Sequence, residues 1–535
     1  MGDDQEFKAL ARGQSGSGVT RREFLRQAAV AGIVVGAAGT TLGAACIGSS
    51  STPTATVKRG GTLRVGIGGG GAKDTLDAHG GFGSPDICRK FQLYNTLATF
   101  DHKYGLVMEL AEEITPTAPD NWVIRLKKGL EWHNGKSVSA DDVIFTLQRI
   151  LDPKTRASGR TGLLAIDLTR LQKVDDLTVR VFLTAPDVGI ADQLAQYANP
   201  MVPVGYDPAN PIGSGPFVLK SFTPGQQSVF TRNPNYWKSG LPYIDSLEIY
   251  DFPDETARVN ALLSGQVDAI DAVSSAQVAV IQGRSNLHLL KSESGQWVPF
   301  TMRVDQAPFN DVRVRQAMRL IVDRPQMVQQ ALAGYGRIAN DLFSPYDPAY
   351  TTTLPQRHQD IAQAKSLLKQ AGQENLTVNL QTAAFTTGAV EAAQVFAAQA
   401  QAANVTVNVQ KLDTGTYYGS NYLKYLFALD YYNTRNYLPQ VATVTAPTGK
   451  FNETHWPDPE DQQYGSLYQQ ARQTVDAAKR ADIIHTMQTM EYDRGGLIVW
   501  GFVTLVDAYS SRVTGFVPDS GVRLSRYGFE SVSIT

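Results

Sequence analysis

Trp122-Val123-Ile124-Arg125-Leu126-Lys127-Lys128-Gly129-Leu130-Glu131-Trp132-His133-Asn134-Gly135-Lys136-Ser137-Val138-Ser139-Ala140-Asp141-Asp142-Val143 is the most informative stretch of this chain. Its end reads as a helix start. Ser139 with Asp142 three residues on is a capping signal, and Val143, Ile144, Leu147, Ile150 and Leu151 then fall on one helical face until Pro153 stops it. Working outward, Thr62 to Ile67 alternates as a strand does. Further helices are expected from about Asp360 to Gln370, with Gly372 as its C-cap, from Gly388 to Ala403 and from Ala477 to Tyr492. Short β-like runs lie among them at Leu376 to Thr382, Val405 to Val409 and Leu426 to Tyr432. Interleaved helices and strands without a repeat make a mixed α/β protein.

The chain has 535 residues, or about three and a half units at roughly 150 residues per domain. Hydrophobic residues are 42% and charged residues 19%, which excludes a disordered tail and a polytopic membrane protein. With 49 basic and 51 acidic residues there is no field of one sign to hold nucleic acid. Only two Cys occur, too few for a disulfide framework or a Cys-built zinc site.

The first of them sits behind a leader. Thr20-Arg21-Arg22-Glu23-Phe24-Leu25-Arg26, an uncharged stretch rich in Ala, Gly and Val, and then Cys46 have the form of a twin-arginine export signal, read through Arg21 and Arg22. Gly43-Ala44-Ala45-Cys46 is similar to the cleavage box of bacterial lipoproteins, in which Cys46 would receive the lipid; Gly43 replaces the usual branched residue. Residues 1–45 are thus expected to be the leader and 46–57 a Ser/Thr/Pro tether.

Sequence-local catalytic motifs are absent. Gly66-Ile67-Gly68-Gly69-Gly70-Gly71 follows a strand, but the residues after it lack the helical periodicity a dinucleotide site needs, so it reads as a flexible loop of the kind that borders clefts. The seven His are scattered without metal-ligand spacing, and the mature chain has no G-x-S-x-G elbow. No cofactor and no metal are expected. Tyr417, Tyr418, Tyr422, Tyr425, Phe427, Tyr431, Tyr432 and Tyr437 crowd one stretch, as core packing or as a cleft that stacks a ligand.

Three ordered segments together resemble the extracellular solute-binding proteins, family 5, of peptide, nickel and opine ABC importers. Trp122 to Val143 is similar to the W-x-x-x-L-x-x-G-x-x-F-x-x-G-x-x-x-x-A-x-D-V signature, with Trp132 in place of Phe. Gly213-Ser214-Gly215-Pro216-Phe217 matches a G-[TS]-G-P-[FY] turn, and Pro308-Phe309-Asn310-Asp311-Val312-Arg313-Val314-Arg315-Gln316-Ala317 resembles a P-F-x-D-x-R-V-R-Q-A helix start. Their residues read as scaffold: Asp311 suits an N-cap, and Arg313 and Arg315 are expected to pair with surface acids. The resemblance implies a periplasmic-binding-protein type II clamshell of two lobes with an extra domain. Lobe I would comprise 58–92, 211–292 and 507–535, the extra domain 93–210, and lobe II 293–506. Hinge strands are expected near Leu289 to Val304 and Leu497 to Val506. It also implies a non-enzymatic receptor, anchored by lipid outside the cytoplasm and working as a monomer, that delivers a small solute to an ABC permease and ATPase. A secreted α/β hydrolase is the alternative.

In peptide-binding members a W-x-x-D strand end supplies an Asp for the peptide ammonium. Leu426 to Arg435 admits two registers: Tyr432 and Arg435 take those places in one, Phe427 and Asp430 in the other. The first keeps the apolar strand intact. It substitutes a guanidinium for the carboxylate, which would repel an ammonium and clamp an acid. The candidate ligand contacts are Asp77, His79, Trp297, Tyr431, Tyr432, Asn433, Arg435, Asn436 and Trp500. Peptides, opine-like acids, oligosaccharides and metal chelates all remain open.

Overall fold

The strand expected from Thr62 to Ile67 runs over Thr62–Gly68 and lies inside the largest sheet. The computed structural model describes residues 58–456 and 462–535. Arg21, Arg22, Cys46 and the tether therefore lie outside the described residues, and among the described residues no helix is long and apolar enough to cross a membrane.

Three principal sheets organise the described residues. The eight-stranded sheet runs in the order Leu287–Trp297, Gly501–Ser510, Ala269–Ile270, Thr62–Gly68, Ser246–Phe252, Gln227–Arg232 and Phe217–Thr223, with Gly336–Ile338 attached to Gly501–Ser510. Thr62–Gly68 is parallel to both its neighbours, and Leu63, Val65 and Ile67, which share one face of the strand, are completely buried. A five-stranded sheet is built from Thr406–Leu412, Thr377–Ala383, Phe427–Leu429, Phe300–Met302 and Leu497–Ile498. A four-stranded antiparallel sheet, Ala111–Ala118 to Gln172–Asp175, holds the opening motif. Each sheet has its own apolar core.

The helices follow their local signals. Ala140–Leu151 starts at a capping box in which Ser139 and Asp142 satisfy each other's backbone groups. Ile361–Gln370 is capped by Asp360, with Gly372 at φ +69° just beyond it. Asp311 caps Val312–Ile321 as expected and pairs with Arg313 at 2.6 Å. Arg315 is 2% exposed and donates to the carbonyls of Phe309 and Arg494, the second at the C-terminus of helix Ala477–Arg494, where the last carbonyls lack intrahelical donors.

Two motifs meet to seat the helix Ser84–Leu93. The His133 amide donates to Gly213 O (2.8 Å), and the Gly215 amide donates to Leu93 O (2.9 Å). A Cβ on Gly215 would lie 2.3 Å from Gln92 O, so only glycine permits this approach to the helix end. These residues are scaffold, and what they hold is one wall of the cavity described next.

Candidate ligand-binding cavity

Two antiparallel strands carry the chain between the large sheets. Leu287–Trp297 pairs with Gly501–Ser510 from Leu287↔Ser510 to Glu293↔Thr504, and the register then breaks between Glu293 and Trp297. This bulge turns the strand. Past it Trp297 and Tyr432 exchange two backbone hydrogen bonds of 3.0 Å, and Phe300–Met302 continues against Phe427–Leu429 in the second sheet. The bulge and the loop after Phe427–Leu429 thus meet beside a cavity of about 660 Å³.

Thr434 fixes that loop. It is 5% exposed. Its hydroxyl donates to Ser520 O (2.7 Å) and accepts from the Gly295 amide (2.9 Å), while its carbonyl accepts from the Tyr104 hydroxyl (2.7 Å). Tyr104 is stacked on Phe100 at 4.3 Å, and burial raises its pKa to about 12, so it stays a donor at any physiological pH. Gly295 must be small here, since a Cβ would lie 2.9 Å from Thr434 Cγ2.

Arg435 follows directly and lines the cavity, half-buried. Its charge reaches Tyr104 and Tyr197, but it makes no ion pair or hydrogen bond with the described residues. Tyr431 and Asn433 line the same space, with Tyr431 stacked on Phe385 at 5.6 Å. Asp430, the residue of the other register, does not line the cavity. It is 2% exposed, and its carboxylate accepts from Tyr418 (2.6 Å) and Tyr422 (2.9 Å). Burial raises the Asp430 pKa, and Glu453 is raised likewise by burial and by Asp430.

The remaining expected contacts are placed elsewhere. Asp77 and His79 form a buried knot with Arg149: Arg149 reaches Asp77 at 3.0 Å and His79 Nδ1 at 2.5 Å, while His79 Nε2 meets Pro200 O at 2.9 Å. Burial drives the His79 pKa down to about 3, and the contact with Arg149 Nη1 leaves Nδ1 as acceptor, so a neutral imidazole donates to Pro200. Burial pushes the Asp77 pKa upward, but the hydrogen bonds from Arg149 and His79 outweigh it and leave that pKa lowered. Trp297 is packed between Phe343 (5.1 Å) and Tyr432 (4.7 Å), Trp500 is 1% exposed in the core of the second sheet, and the Tyr432 hydroxyl donates to Glu453 (2.7 Å). Asn436 is drawn away by Asp192. The glycine loop 66–71 contributes nothing to the lining; within it Gly70 is packed against the Asp251 side chain. Of the tyrosine-rich stretch only Tyr431 reaches the cavity; Tyr417 and Tyr437 are core.

Lys90, Gln296, Tyr104 and Arg526 are lining residues that the sequence did not single out. Gln296 reaches Thr386 at 3.1 Å across the cavity edge. Among the described residues no group of three or more His, Cys, Asp or Glu is placed to hold a metal ion.

Residues 105–449 match the model of bacterial extracellular solute-binding proteins, family 5. The chain belongs to this family. It is 26% identical over 491 residues to the dipeptide-binding protein of Escherichia coli K12, covering 83% of this chain and 89% of that one. It is 29% identical to heme-binding protein A of Haemophilus influenzae over 320 residues, 53% of this chain and 57% of that protein. Among solved structures, the binding protein AgaA of A. tumefaciens R10 in complex with agropinic acid superposes with a TM-score of 0.73 at 25% identity, covering 89% of this chain and 99% of AgaA. The fold is that of the periplasmic-binding-protein clamshell, and the chain is a substrate-binding protein of an ABC importer. A secreted hydrolase has no support.

Proposed function

We propose that this receptor captures a small organic acid, and that Arg435 clamps the acid's carboxylate. The observation that carries the reading is a guanidinium in the cavity wall without a carboxylate of its own. Guanidinium and carboxylate match as a bidentate pair, and Asp430, which would suit a peptide ammonium, is turned away into its tyrosine cage. The complex of AgaA with agropinic acid supports an acid as ligand. Tyr431 would cover the ligand's apolar part and Asn433 a polar group.

In this reading the three sheets are lobe I (58–92, 211–292 and 507–535), lobe II (293–506) and an extra domain (93–210), and the strands Leu287–Trp297 and Gly501–Ser510 straddle the junction of the lobes. Closure about them would bury the ligand, so its affinity is coupled to the closed state. The receptor would be exported through Arg21 and Arg22, anchored by lipid on Cys46, and work as a monomer that makes and breaks no bond.

The test is calorimetry of the purified protein with organic acids and their amides, alongside Arg435→Gln. A charged hydrogen-bond pair contributes about 1.5–3 kcal/mol, so the variant should lose about tenfold to a hundredfold in affinity for acids. Binding confined to amine-terminated peptides and indifferent to Arg435 would sink the reading.

A further inference from the structure

Five cationic side chains line the cavity: Lys90, Lys238, Arg435, Arg523 and Arg526. Three of them are neutralised within the protein. Arg523 meets Asp507 at 3.2 Å, Arg526 meets Asp519 at 3.2 Å, and Lys238 lies 3.6 Å from Glu109 and 3.7 Å from Glu530. Arg435 and Lys90 have no carboxylate at ion-pair distance among the described residues.

Lys90 is the more unusual of the two. It is 3% exposed, and its ammonium donates to one protein oxygen, Gly81 O at 3.1 Å. An ammonium has three N–H donors, and a buried charge left without a counter-ion costs several kcal/mol. Burial lowers the Lys90 pKa to about 8, with Asp86 and Asp77 opposing from a distance, so the group remains mostly protonated at pH 7. Its place is set rigidly, because the helix Ser84–Leu93 is held at its end by Gly213 and Gly215. The next residue, Phe91, lies 6.3 Å from Tyr197, which in turn feels the charge of Arg435. The two unpaired cations therefore serve one chamber from different parts of the chain.

We propose that Lys90 is a second anion anchor, so that the cavity selects solutes carrying two acidic groups, one held by Arg435 and the other by Lys90. This rests on Arg435 clamping a carboxylate and adds a requirement to it. A diacid would give both cations a counter-ion, whereas a monoacid leaves Lys90 buried with a single carbonyl.

The experiment is a calorimetric comparison of glutaric, adipic and suberic acids and N-succinyl amino acids, each against its monoamide, with the purified protein. At least one diacid should bind about tenfold or more tightly than its monoamide, the scale of one charge-assisted contact. Lys90→Met should abolish that preference, bringing the diacid down to the affinity of its monoamide, and Lys90→Gln, which retains a donor for Gly81, should do the same. A panel in which no diacid out-binds its monoamide, or a preference that survives both Lys90 variants, overturns the proposal. If Arg435→Gln still weakens the monoamides in that case, the acid-clamp reading stands without the second anchor; if Arg435→Gln changes nothing, both fall.

Discussion

Arg89 and Lys90 are neighbours on one helix and are almost equally buried, yet the protein treats their charges in opposite ways. Arg89 is surrounded by Asp251 (2.5 Å), Asp74 (3.2 Å) and Asp86 (3.4 Å), and Ser228 accepts its Nε–H. Lys90 has a single carbonyl. The same contrast separates Arg149, tied to Asp77 and His79, from Arg435. Where the fold needs a charge for its own cohesion it supplies the counter-ions; for two of the five cations that line the cavity it supplies none at ion-pair distance among the described residues, and in the proposed reading a ligand fills that deficit.

The largest test of this contrast is Arg89→Met against Lys90→Met. Removing Arg89 leaves three buried or half-buried carboxylates uncompensated and should cost about 3–5 kcal/mol in urea denaturation. Lys90→Met removes an uncompensated charge and should melt no lower than the parent. Equal losses would break the comparison.

A second test uses a buried acid that does not line the cavity. Glu491 is buried against Tyr464 (2.5 Å), and burial raises its pKa from 4.5 to about 8. Between those values the folded state holds a proton that the unfolded state has released, so stability falls as pH rises through this window, by up to about 1.4 kcal/mol per pH unit for one group. Glu491→Gln should flatten that fall when urea midpoints are compared at pH 5 and pH 8. A variant as pH-dependent as the parent would mean that Glu491 ionises freely.

The smallest effect concerns the loop itself. Thr434→Val keeps the side chain's shape but removes the hydroxyl that joins Gly295 to Ser520, and should cost about 1–3 kcal/mol of stability. Acid affinity should fall with it, since Arg435 would no longer be held. Unchanged affinity in a destabilised variant would separate the loop's structural role from its role at the site.

The architecture was legible because its signals are local. The Ser139–Asp142 box, the Asp360 cap and the family motifs each sit within a few residues, and the structure repeats them nearly to the residue. The cavity was half legible. Trp297 stands beside the expected hinge strands and Tyr432 takes the Trp place of the W-x-x-D register, but successive residues of an extended chain face opposite sides. Gln296, Tyr431 and Asn433 face the cavity, while Trp297 and Tyr432 face the core. A shift of one residue separates the two sets, and sequence alone does not say which side is wet. Lys90 was hidden for another reason. Its helix buries Asp86, Arg89, Lys90 and Gln92, reversing the polarity by which amphipathic helices are usually read, and its meaning depends on carboxylates scattered from Asp74 to Asp251 that gather around its neighbour instead.

The three anchors of Thr434 bear on speed as well as strength. Because Tyr104, Gly295 and Ser520 immobilise the loop during folding, an arriving solute does not have to order the segment that grips it. Capture should then avoid the entropic loss of loop ordering and the slow rearrangement that often limits association. In the proposed reading, residence time would instead reflect the opening of the lobes about the paired strands Leu287–Trp297 and Gly501–Ser510, so release would be governed at the hinge while the gripping residues stay as they are.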